Sequence, residues 1–180
     1  MASDATEPPI AMIHVPDAIV SGIQTYRDMQ RPATTLKSYG ELRAPAGFWS
    51  SLAEGDRLPR RADLDPVALA RWLGNLILVQ VVDGGADFRF RLYGTKVAES
   101  NQRDLTGQSV SALPASDVAI VAGGYREALA RRAPVYRGHT IIADGQYFTW
   151  ERVILPLAAD GHAIDMLLVG IYRIRGEERL

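Results

Sequence analysis

Leu76-Ile77-Leu78-Val79-Gln80-Val81-Val82-Asp83-Gly84-Gly85-Ala86-Asp87-Phe88-Arg89-Phe90-Arg91-Leu92-Tyr93-Gly94-Thr95 is the stretch on which the fold turns. Leu76 to Val82 is rich in β-branched residues and reads as a strand. Asp83-Gly84-Gly85 is a hairpin turn signal, because tight hairpin turns need backbone conformations that glycine adopts without steric cost. Phe88 to Tyr93 is the returning strand, and Gly94 ends it. In the first strand Leu76, Leu78 and Val82 point one way while Ile77, Val79 and Val81 point the other. An antiparallel strand with one wet face alternates apolar and polar residues. This strand does not, so both faces of its sheet must be covered.

Downstream, short helical pieces are expected from Lys96 through Leu113, then a longer helix from Ser116 to Arg132. Ser116 is its expected cap and Pro134 its stop. Gly123-Gly124 sits mid-helix at a cost of about 1 kcal/mol per glycine relative to alanine. That implies a close approach or a kink. Three more strands follow: Val135 to Ile142, Gln146 to Leu157 and Ala163 to Ile174, with turns at Asp144-Gly145 and Asp160-Gly161. The last strand is again apolar on both sides, with Met166, Leu168 and Tyr172 against Leu167, Val169 and Ile171. The helices from Lys96 to Arg132 can cover one sheet face. Residues Thr35 to Trp72, or a second subunit, are the candidates for the other.

Upstream, residues 1–34 read as a leader that is partly disordered or helical, with a short helix from Pro16 to Arg31. Residues 35–74 form a helical segment, and Pro45 and Gly47 argue for a break inside it. Asp65-Pro66 opens a further helix over Val67 to Trp72, with Asp65 as N-cap. Residues 75–176 are the core domain. At 180 residues the chain is about one domain, and 47% hydrophobic with 23% charged residues is ordinary for a globular protein.

A five-stranded antiparallel sheet split two-plus-three by helices is the chain order of the PAS fold. The stretch Asn101-Gln102-Arg103-Asp104-Leu105-Thr106-Gly107-Gln108-Ser109 resembles the PAS segment where a leucine and a glycine precede a polar residue and a short helix. The run from Phe48 to Tyr172 resembles a stand-alone PAS subfamily common in alphaproteobacteria. The motifs are Trp49, Leu58-Pro59-Arg60-Arg61, Arg91-Leu92-Tyr93-Gly94-Thr95 (Arg-Leu-x-Gly-Thr) and Leu155-Pro156-Leu157 (Leu-Pro-Leu). The resemblance implies an α+β fold, with helices on one sheet face and the N-terminal segment on the other face or at a dimer interface. It also implies a sensory or adaptor role.

The net charge of −1 and the lack of a basic half argue against nucleic acid. No apolar run is long enough to span a bilayer, and a start without a basic n-region argues against a secretory signal. A cytoplasmic location is expected. The chain has no cysteine, which removes thiolate catalysis and cysteine metal sites. It also removes covalent flavin photochemistry, since the light-sensing subclass of the PAS domains that this chain resembles needs a reactive cysteine in an Asn-Cys-Arg motif. His14, His139 and His162 have no metal-ligand spacing. Haem in PAS domains usually takes its axial histidine from the long helix, which has none here. The cofactor stays unknown, with haem and covalent flavin disfavoured.

No Gly-x-Ser-x-Gly elbow is present. Asp65 reads as a cap and Asp63 as solvated, and Arg57, Arg60 and Arg61 as a basic turn. No catalytic or metal residue is assigned. The ligand-pocket candidates are Arg91, Tyr93, Tyr125, His139, Tyr147 and Trp150. Arg91, between Phe90 and Leu92, would either grip an acidic ligand by its bidentate fork or form a buried ion pair with Glu151. The expected function is sensory, with a small molecule bound in the space between helix and sheet, or a signal relayed by protein contact. No kinase, cyclase or helix-turn-helix pattern appears, so an unidentified signalling partner and a homodimer are expected. A ligand-free dimerisation or adaptor module is the alternative. A small α+β cavity enzyme comes third, because a hairpin precedes the helices here.

Overall fold

The structure is a computed structural model and describes residues 23–27, 39–143 and 146–175. The hairpin forms where the turn chemistry places it. Strand β2 (Leu76–Val82) pairs antiparallel with β3 (Asp87–Tyr93) across a turn in which Asp83, Gly84 and Gly85 all have positive φ. Helix α2 (Thr95–Asn101) follows, then a single 3-10 turn at Val110–Ala112 and the long helix α3 (Ala115–Arg131). Strands β4 (Val135–Ala143), β5 (Gln146–Leu157) and β6 (Met166–Arg175) complete the core sheet. The last strand starts three residues later than expected. Asp160 Oδ1 accepts the amides of His162 and Ala163, and Asp165 Oδ1 accepts that of Ala159, so the loop consumes those residues.

The five core strands run β4-β5-β6-β2-β3, all antiparallel, so the last strand sits in the middle beside the first. A sixth strand, β1 (Ile23–Arg27), adds to the β4 edge. This corrects the helix expected from Pro16 to Arg31. Ile23, Thr25 and Tyr26 belong to strand-favouring types, and the edge of β4 offers them a ladder. The rest of the leader lies outside the described residues.

The requirement that both sheet faces be covered is met within the chain. Phe88, Phe90, Val79, Ile154 and Val169 share one core with Tyr125 and Ala128 of α3. Val153, Leu155, Leu157 and Leu168 share a second core with Leu42, Ala46 and Trp49 of helix α1 (Tyr39–Leu52) and with Leu58, Leu64 and Leu69. The spacing of Leu42, Ala46 and Trp49 is one helical stripe.

Three local expectations are corrected. Helix α1 runs unbroken through Pro45, whose ring lies over Gly170 of β6. Packing against the sheet outweighs the lost helical hydrogen bond. Residues Pro66 to Trp72 form successive turns rather than an α-helix, mixing a Leu69 N–H to Asp65 O bond with shorter-range bonds such as Trp72 N–H to Leu69 O. Asp65 still caps them, its Oδ1 accepting the Val67 amide at 2.9 Å. Ser116 lies inside the first turn of α3 and does not cap it; the N-cap position is Pro114.

Trp49, Leu58-Pro59 and Leu155-Pro156-Leu157 come together around the second core. Trp49 Nε1 donates to the Pro156 carbonyl at 2.7 Å. The Ala158 amide donates to the Pro59 carbonyl at 3.0 Å, and the Leu58 amide to that of Gly161 at 2.9 Å. Arg60 pairs with Asp63 at 2.7 Å, so Asp63 is held in an ion pair rather than simply solvated.

Candidate functional site

The site is the space between α3 and the sheet. It begins with a defect in β3. Leu78 pairs with Leu92 but Val79 pairs with Phe90, which leaves Arg91 as the extra residue of a β-bulge. Regular alternation would send Phe90 and Tyr93 to opposite faces. The bulge brings both to the helix side, where their rings meet edge-on at 5.4 Å. Arg91 is left exposed.

Arg91 is therefore corrected on both of its expected roles. It does not reach the cavity. Nor can it pair with Glu151, which is buried on β5 in register with Val153 and Leu155. Strands β3 and β5 are separated by β2 and β6, roughly 14 Å at the usual strand spacing.

A cavity of about 330 Å³ lies under α3. Phe90, Tyr93, Tyr125 and Trp150 supply aromatic walls, and Ile77, Val169 and Ile171 the apolar floor. Four of the six residues singled out in the sequence, Tyr93, Tyr125, His139 and Trp150, meet here. The side chain of Tyr147 lies outside the described residues. Tyr93 accepts a 2.6 Å hydrogen bond from Asn101 Nδ2 of α2, and burial pushes its pKa up to about 12. Tyr125 is fully buried against Phe88, rings 5.1 Å apart, and burial raises its pKa as well. Both phenols stay protonated near neutral pH.

The polar end lies at the β4–β5 ladder. His139 is directly opposite Trp150, and Arg152 is the next residue along that face of β5. His139 Nδ1 is buried and has no hydrogen-bond partner among the described residues. Burial, together with the nearby Arg152 charge, lowers the His139 pKa to about 3, so the imidazole is neutral at pH 7. Arg152 is itself buried, and its Nη2 donates to the Ile120 carbonyl of α3 at 2.8 Å. The guanidinium passes beneath Gly124, where a Cβ would stand 3.5 Å from Nη2 and 3.0 Å from Ile154 Cδ1. This is the close approach anticipated for the glycine pair. It concerns Gly124 alone, since a Cβ on Gly123 meets nothing within 4 Å.

Asp117 and Arg103 line other parts of the wall, and Arg103 Nη2 donates to Gln108 Oε1 at 2.8 Å. Sequence reading passed over Arg152, Asn101, Arg103 and Asp117. For Arg152 a signal existed: it shares the period-2 register of Trp150 and Ile154 on a strand with few polar residues. The other three reach the cavity from the end of α2, the α2–α3 connection and the first turn of α3, whose paths over the sheet no periodicity encodes.

Among the described residues no group of three or more His, Asp or Glu side chains could hold a metal ion, and no helix is long and apolar enough to cross a membrane. An apolar cavity of about 150 Å³ holds one benzene. This one, at about 330 Å³, has room for about two such rings. No curated protein matches the chain. A family model described as PAS domain matches residues 38–172.

Proposed function

This chain belongs to the PAS domain family, whose members are sensory and signalling modules, and from that premise we propose that it binds a small molecule beneath α3 and passes the bound state to a partner protein. The observation that carries the reading is the cavity: largely apolar, walled in part by Phe90, Tyr93, Tyr125 and Trp150, with the polar side chains of His139 and Arg152 in its lining. Concave apolar sites with a few placed polar groups are the usual form of small-ligand sites. The relay has a physical route. Trp150 and Arg152 face the cavity, while Val153 and Leu155 on the same strand pack against α1 across the sheet. A ligand that shifts β5 therefore changes how α1 sits. No catalytic step is assigned to the site.

The motif order supports membership of the alphaproteobacterial stand-alone subfamily, whose Trp, Leu-Pro-x-Arg and Leu-Pro-Leu motifs are here joined by the Trp49–Pro156 and Pro59–Ala158 hydrogen bonds. The alternative is a ligand-free adaptor or dimerisation module. Val67, Leu73 and Leu92, apolar side chains that stand exposed, favour it.

Native mass spectrometry of freshly purified protein, with thermal-shift measurements across a metabolite panel, separates the two. Ligand sensing is expected to show a co-purified small molecule or a rise in Tm with at least one metabolite. Neither, in a chain that runs as a dimer, would leave the adaptor reading standing.

A further inference from the structure

We infer that the ligand of this cavity is an uncharged aromatic ketone or aldehyde of one or two rings, held by a hydrogen bond from the Tyr125 hydroxyl to its carbonyl oxygen. The inference rests on the ligand-binding reading above and deepens it. Size comes first: the cavity volume of about 330 Å³ is roughly twice that which takes a benzene ring. The walls come second. Phe90, Tyr93 and Trp150 offer ring faces and edges that favour a planar aromatic body. The charged side chains of the lining are already engaged: Arg152 with the Ile120 carbonyl, Arg103 with Gln108, and Asp117 in an interaction of its own. An ionised ligand would therefore leave water with no unengaged counter-charge to meet it.

Hydrogen-bonding demand chooses the functional group. The Tyr125 hydroxyl and the Trp150 Nε1–H have no hydrogen-bond partner among the described residues, and neither atom is shut inside the protein as His139 Nδ1 is. Both side chains line the cavity and are otherwise buried, Tyr125 at 2% and Trp150 at 7% exposure. The Tyr93 hydroxyl accepts from Asn101 and keeps its own proton to give. Burial holds both phenols protonated near neutral pH, so both remain donors. The lining thus presents donors in want of an acceptor. A carbonyl oxygen has two lone pairs and no proton, so it satisfies a donor without adding another. A ligand hydroxyl or amide would bring an O–H or N–H of its own to be satisfied. Tyr125 is the donor singled out because its ring is fixed edge-on against Phe88 at 5.1 Å, while its hydroxyl serves nothing inside the protein.

The test titrates the full chain by calorimetry at pH 7 with acetophenone and 2-acetylnaphthalene. Each is set against the alkene in which a methylene group replaces the carbonyl oxygen, and against the matching carboxylate, benzoate or 2-naphthoate. At least one ketone is expected to bind, roughly tenfold or more tighter than its carboxylate, which must shed its water. Tyr125→Phe keeps the ring on Phe88. It is expected to weaken that ketone about three- to tenfold, the size of one net hydrogen bond, and to leave the alkene unchanged. Infrared spectra decide the matter on the wild type alone if the variant fails to fold. The carbonyl band of the bound ketone is expected below its frequency in hexane, because a hydrogen bond weakens the C=O bond. A carboxylate that binds as tightly as its ketone, an unshifted band, or a variant that treats ketone and alkene alike would overturn the inference. So would ketones that do not bind while the metabolite panel yields a different ligand, an outcome that leaves ligand sensing intact. If neither the ketones nor the panel binds, both readings fail.

Discussion

His139 is neutral because of where β4 carries it, and that has a pH consequence. Its ordinary pKa is near 6.5 and its folded value about 3, so between these limits the unfolded chain binds the extra proton. Stability therefore rises with pH across this window and is lost as pH falls from about 6.5 toward 3. The expected slope from this group alone is somewhat over 1 kcal/mol per pH unit. Urea midpoints measured at pH 7, 6 and 5 are expected to fall in the wild type and to fall less steeply in His139→Gln. Parallel lines for the two proteins would mean that His139 titrates normally. Gly94 has a different kind of necessity. Its backbone conformation is open to any residue, but a Cβ would lie 2.4 Å from the Gly74 carbonyl oxygen and 2.7 Å from that of Leu76. Two backbone oxygens cannot move aside like a side-chain tip. Gly94→Ala is expected to cost about 3 kcal/mol, at the upper end of overpacking, and a change below 1 kcal/mol in denaturant unfolding would contradict this. Trp49→Phe, which leaves the buried Pro156 carbonyl without its donor, is expected to cost roughly 1 to 3 kcal/mol on the same assay.

At the scale of elements, α3 is set against the sheet by one glycine of its pair. Gly123 is exposed with open space around its missing Cβ, whereas Gly124 faces Ile154 and Arg152. Gly123→Ala is therefore expected to raise stability by about 1 kcal/mol through helix propensity alone. Gly124→Ala is expected to lower it, because Ile154 is fully buried and has nowhere to move. Opposite signs in paired thermal melts are the expected result; two stabilised variants would show that α3 has slack over the cavity. Strand β3 makes the complementary point. Its alternation was legible in Phe88 and Phe90, but the bulge at Arg91 was not. A bulge is an insertion relative to a partner strand, and β3 alone holds no record of the register of β2.

Across the whole molecule, the sheet is a partition with a core on each side. Because α1 supplies Leu42, Ala46 and Trp49 to the second core, it is part of the fold and not a detachable leader. Removing residues 1–60 would expose Val153, Leu155 and Leu168 to water. The truncated chain is expected to be insoluble or to lose its cooperative melting transition; a soluble truncation with a sharp transition would show that α1 is dispensable. Deleting the segment is thus a poor probe of oligomeric state, which is better measured on the full chain.

The sequence by itself determined the element order from β2 onward, the bounds of β2 and β5 to the residue, and the need to cover both sheet faces. It could do so because strand periodicity and turn chemistry are local, carried by runs such as Leu76 to Val82 and by Asp83-Gly84-Gly85. It also assembled Tyr93, Tyr125, His139 and Trp150 as candidate lining groups, since aromatic and imidazole side chains in central elements have few places to go. Only the tertiary structure decided that Arg152 and Arg103, and not Arg91, line the cavity. Which face a strand residue takes depends on register with its neighbours, and one bulged residue reverses it. Tertiary packing likewise carried α1 through Pro45, because the β6 surface on which the helix rests lies more than a hundred residues away in the chain.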